Sequence, residues 1–109
     1  LIDKFLNSEI SKNCTSFQDL KINETMPIIK NCDLYIGNDT GWLHISSALG
    51  IKCLALFMDS PVEAYGKYSK NINIIVPEGE TKKTTTHNTL GADKISFEKV
   101  FEKSIQLLD

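Results

Sequence analysis

Apolar residues along this chain follow two alternating patterns. Apolar runs at Leu34-Tyr35-Ile36, Cys53 to Phe57 and Ile72 to Val76, the last interrupted only by Asn73, have strand length. Such continuous apolar strands suit a sheet covered on both faces. Around them, apolar positions recur at helical spacing. Ile2, Phe5, Leu6 and Ile10 predict an amphipathic helix over residues 1–10. A second helix, capped by Asn23 or Thr25, is expected to run to about Asn31. Pro27 would fall in its first turn, where a missing N–H does least harm. Trp42, Ile45 and Leu49 define the side of a third helix expected to face the core, with Gly50 as its C′ stop. Ser96 caps a last helix, whose stripe of Phe97, Val100, Phe101, Ile105 and Leu108 should also face the core.

The remaining segments carry weaker patterns. Thr15 to Leu20 is a strand candidate. Ser60 to Ser69, with Pro61, Gly66 and two Tyr, reads as a loop with a short helical turn. Residues 78–94 are polar, rich in Thr and Lys, and form the segment expected to be most mobile. Strands alternating with helices predict one α/β domain over residues 1–109, with parallel pairing and right-handed crossovers.

Composition narrows the classes. The chain has 109 residues, 41% hydrophobic and 24% charged, enough for one small core. A net charge of -2 gives no argument for nucleic acid binding. No apolar run approaches the ~20 residues of a membrane helix. No signal-peptide pattern opens the sequence. Residue 1 is Leu, so a fragment of a longer protein is expected. Cys14, Cys32 and Cys53 show no metal-ligand spacing. Cys32 and Cys53 read as buried free thiols of a reducing cytosol.

The candidate chemistry lies between the first two apolar runs, at Gly37-Asn38-Asp39-Thr40-Gly41-Trp42-Leu43-His44. Strand, Gly-bounded turn and short helix aim backbone N–H groups out of the carboxyl edge of a parallel sheet, where phosphates bind. Asp39 or Thr40 is expected to cap the helix. Gly41 lacks a Cβ and admits a ligand close to the backbone. Thr40 and His44, four apart, share a side. His44 is placed to donate to a phosphate oxygen or a ring hydroxyl. Asp39 is acceptor-only when ionised, which suits sugar hydroxyls rather than phosphate. Taken singly, each residue has a plainer account: Asp39 and Thr40 as caps, Gly41 as a turn residue, His44 as a surface residue, Trp42 as core.

The longer string from Cys32 to Gly50, continued through Ile51 to Phe57 and a Pro-bearing loop at Ser60-Pro61, resembles the signature of glycosyltransferase family 9. This is the heptosyltransferase family of lipopolysaccharide core assembly. The resemblance implies a Rossmann-like, parallel-sheet domain. It would be part of the C-terminal, donor-binding half of a two-domain GT-B enzyme. It implies a nucleotide-sugar donor, ADP-heptose, and a lipid-linked or glycan acceptor held by another domain. Transfer would proceed with inversion and without a required metal or other cofactor. Asp39 would contact the donor sugar, with Asn38 beside it. Thr40 and Gly41 would contact the diphosphate, and His44 would support the pocket. Leu20 and Lys21 would lie along the base edge. The general base belongs to the other domain, so no residue here is expected to be catalytic and the chain alone should be inactive. The location implied is cytoplasmic, with the full-length protein at the inner face of the inner membrane. Two alternatives remain: a GT-B-like nucleotide-sugar epimerase, and a non-catalytic nucleotide-binding or interaction module.

Overall fold

A computed structural model describes residues 7–109. The predicted first helix lies mostly outside the described residues; within them, Glu9–Asn13 form a 3-10 helix. The elements that follow are α1 (Ile22–Lys30), β1 (Leu34–Asn38), α2 (Gly41–Ala48), β2 (Lys52–Leu56), α3 (Val62–Tyr65), β3 (Ile72–Ile75) and α4 (Phe97–Leu108). The three strands form one parallel sheet in the order β1-β2-β3. Leu34 pairs with Lys52 and Cys53 with Ile72, so each pairing spans a helical crossover. The alternating pattern therefore predicted the architecture correctly.

The central strand is the most buried, as the sequence pattern requires. Cys53, Leu54 and Ala55 are fully covered, and Phe57, Leu43 and Val62 complete the core around them. Each fully buried side chain of Leu or Phe size contributes about 1.5–3 kcal/mol relative to exposure.

Helix ends follow local chemistry. Ser96 Oγ accepts from Lys99 N–H at 3.2 Å, the cap expected for α4. At the end of α2, Gly50 has φ +83°, and the N–H groups of Gly50 and Ile51 return to Ser47 and Ser46 carbonyls. Lys30 Nζ adds a 2.7 Å bond to the Leu49 carbonyl. For α1, the Glu24 carboxylate accepts Lys21 N–H at 2.7 Å. Lys21, not Asn23 or Thr25, is therefore the N-cap residue, and Pro27 falls in the second turn. Pro27 has no N–H to offer the Asn23 carbonyl, and both residues are exposed.

Three further expectations fail. Thr15 to Leu20 forms turns rather than a strand. α2 buries Leu43, Ser46 and Ser47, while Trp42, Ile45 and Leu49 are only half-buried. The buried side of that helix carries Leu43 with two small serines, so it shows no apolar stripe that spacing alone could reveal. In α4 the predicted core stripe is largely outward: Phe97 is 75% exposed, and Phe101, Ile105 and Leu108 are also open. The helix meets β1 and β2 through its Val100, Ser104 and Leu107 side instead. Phe97 and Phe101 cover each other, with ring centroids 5.8 Å apart. The polar stretch 78–94 forms turns and a short 3-10 helix at Ala92–Lys94 and is pinned at several points. Buried Thr85 accepts Val62 N–H, Leu90 N–H reaches Asp59, and Gly91 N–H reaches the Met58 carbonyl.

Candidate functional site

β1 delivers the chain to the carboxyl edge of the sheet at Asn38, and α2 begins three residues later at Gly41. Gly37 belongs to the strand rather than to a turn. The Tyr35 ring lies over it, and a Cβ at that position would overlap the Tyr35 hydroxyl. Thr40 takes the N-cap position with extended backbone, φ -141°. Its side chain makes no capping hydrogen bond, and neither does that of Asp39, contrary to expectation. The first turn of α2 is therefore left uncovered by its own caps. Nothing lies within 4 Å of where a Cβ on Gly41 would stand. The backbone at that end of the helix faces open space.

Asp39 does not cap the helix because its carboxylate has another partner. Oδ1 lies 3.1 Å from His44 Nε2, with the Asp39 side chain 12% exposed and the His44 side chain 39% exposed. The other ring nitrogen of His44, Nδ1, lies 2.5 Å from the Tyr68 hydroxyl. Both nitrogens are thus engaged within the chain, and His44 supports Asp39 rather than pointing a free donor outward. The Tyr68 phenol is protonated at neutral pH, as any tyrosine is, and so has a proton to donate; partial desolvation raises it further above its ordinary value. Next to it, Ser47 Oγ donates to Ser69 Oγ at 2.8 Å, and this second contact fastens the Tyr68–Ser69 loop along α2.

Asn38, Asp39 and Thr40 share a cavity of about 220 Å³ with Leu56, Met58, Asp59 and Ser60, at the ends of β1 and β2. A larger groove of about 620 Å³ runs along the open side of β1, lined by Phe17, Ile29, Leu34, Ile36 and Trp42. Trp42 therefore lines a groove instead of filling the core. Leu20 lies in the turn before α1 and Lys21 is the helix N-cap. The structure brings Asn38, Asp39, Thr40, Gly41 and His44 together at one sheet edge. It records no hydrogen bond from Leu20 or Lys21 to that cluster. Tyr68 was missed from sequence because 24 residues separate it from His44.

A three-stranded parallel sheet flanked by helices, with a helix starting at its carboxyl edge, is the architecture of part of a Rossmann-like domain. Comparison with known families makes this specific. The model for glycosyltransferase family 9 (heptosyltransferase) matches residues 7–94. The chain belongs to that family of glycosyltransferases. No curated protein and no solved structure matches it. Among the described residues, no helix is long and apolar enough to cross a membrane.

Proposed function

We propose that this chain is the donor-binding part of a heptosyltransferase-like enzyme. Its donor is a nucleoside diphosphate sugar, ADP-heptose, and its acceptor a lipopolysaccharide core or related glycan. The observation that carries the reading is the open first turn of α2 at Gly41 beside a carboxylate held in place by His44. Thr40 and Gly41 take the diphosphate, and Asp39 accepts hydrogen bonds from donor-sugar hydroxyls, with Asn38 lining the same cavity. Leu20 and Lys21 lie along the base edge. His44 acts from behind, through Asp39.

In transfer, an acceptor hydroxyl loses its proton to a base supplied by another domain and attacks the anomeric carbon. The departing nucleoside diphosphate gains charge, which the N-terminus of α2 stabilises. Such a helix end contributes about 0.3–1 kcal/mol when exposed and up to ~2 when partly buried. The larger share must come from positioning across a cleft between domains. The 109-residue chain is accordingly a binding unit that does not transfer sugar alone. The full enzyme works in the cytoplasm, against the inner face of the membrane that carries its acceptor.

Titration with ADP, UDP and GDP, followed by backbone amide NMR, tests this. Saturable shifts at Thr40, Gly41 and His44, strongest for ADP, are expected. Gly41→Val should keep the folded spectrum, since the space around residue 41 is open. It should weaken binding about tenfold or more, ~1.4 kcal/mol per decade. A folded wild-type spectrum with no saturable shift at these residues rejects the reading.

A further inference from the structure

We propose that Tyr68 is a positioning residue of the donor site: its hydroxyl donates to His44 Nδ1 and fixes the tautomer whose Nε2–H holds the Asp39 carboxylate. The inference rests on the donor-site reading and adds a residue from a different loop to it. The argument is one of donor and acceptor inventory. An ionised Asp carboxylate only accepts, so the His44 nitrogen 3.1 Å from Asp39 Oδ1 must carry the proton. In the neutral imidazole the other nitrogen then only accepts. The Tyr68 hydroxyl, 2.5 Å from that nitrogen, supplies the donor. The three side chains form one directed relay, Tyr68 O–H to His44 Nδ1 and His44 Nε2–H to Asp39.

The relay has a structural purpose. Asp39 and His44 sit five residues apart across the start of α2. Tyr68 reaches them from the loop between α3 and β3, with the adjacent Ser69 tied to α2 through Ser47. Tyr68 as a whole is 60% exposed, so its phenol body adds little to the core. Its hydroxyl end is the part with a defined partner. Asp39 is aimed at the sugar, not the diphosphate. Loss of the relay should therefore weaken the nucleotide sugar more than the free nucleotide.

The test is Tyr68→Phe, which keeps the ring and removes only the donor. The side-chain ¹⁵N shifts of His44 report its tautomer, and ADP and ADP-heptose serve as ligand probes. Wild type should show protonated Nε2 and an accepting Nδ1. The variant should show mixed tautomers, an unchanged amide spectrum away from residues 39–44, and ADP-heptose binding weaker by about two- to tenfold, the size of one hydrogen bond. ADP binding should change less. A protonated Nδ1 in wild type, or a His44 tautomer unaffected by Tyr68→Phe, overturns the proposal. So does equal weakening of both ligands. Wild-type protein that binds neither ligand would fail the donor reading, and the tautomer measurement in the same sample would still decide the relay.

Discussion

At the scale of single residues, environment decides what chemically similar groups do. The three thiols show this. Cys53 lies in the central strand with no exposure, its Sγ donating to the Ile51 carbonyl at 3.3 Å. Burial pushes its pKa up to about 11, so it stays an unreactive thiol at neutral pH. Cys14 and Cys32 are exposed. A thiol-labelling reagent at neutral pH should modify Cys14 and Cys32 quickly and Cys53 only after unfolding; fast labelling of Cys53 would contradict the packing around β2. Cys32 was expected to be buried because apolar residues flank it in sequence. It instead ends the turn after α1, where, among the described residues, β1 pairs with β2 alone. Asp39 gives a parallel lesson. A carboxylate two residues before a helix reads as a cap, yet it is drawn to a histidine one turn inside that helix.

At the scale of elements, the endings were more legible than the faces. Gly50 illustrates why. Its φ of +83° is a backbone requirement that only glycine meets without strain, and it shows in sequence as a Gly after the last periodic residue. Gly50→Ala should cost about 1–2 kcal/mol. The nearest atom to the new Cβ, Lys30 Nζ, is 4.0 Å away, so the loss comes from backbone strain and not from a clash. Thermal unfolding should fall by roughly 4–8 °C per kcal/mol for a domain of this size. An unchanged midpoint would mean that α2 ends differently. Ser96 was legible for the same reason, since a cap is a local bond. The strands and their order were legible because apolar runs and alternation survive in one dimension. The buried sides of α2 and α4 were not. Which stripe of a helix faces the sheet depends on crossing geometry, and Ser46 and Ser47 carry no hydrophobic signal. Of the site, the Asp39-to-His44 string could be read from its spacing. Tyr68 could not, because a contact across 24 residues leaves no local pattern.

At the scale of the whole molecule, the fold is linked to pH through its centre. Cys53 has a folded pKa of about 11, above its unfolded value of about 8.5. A raised folded pKa means stability that is fully present below the unfolded value and lost as pH climbs toward the folded one. Denaturant unfolding should therefore show a falling midpoint between about pH 8.5 and pH 11, and Cys53→Ala should flatten the slope while lowering stability at neutral pH. An identical slope in the variant would assign the alkaline loss to other groups.

The polar stretch after β3 has a consequence of a different kind. Thr85 caps the start of α3, while Leu90 and Gly91 hold Asp59 and Met58, which line the cavity beside Asp39. A segment whose composition suggests freely variable filler is thus a strap, buckled at one end onto α3 and at the other onto the cavity wall. Between those contacts Thr86 and Thr89 hold the turn through their own hydroxyls, and the His87 ring lies against Tyr65. Insertion or deletion there would slacken or tighten the wall of the cavity beside Asp39 without changing any residue that lines it.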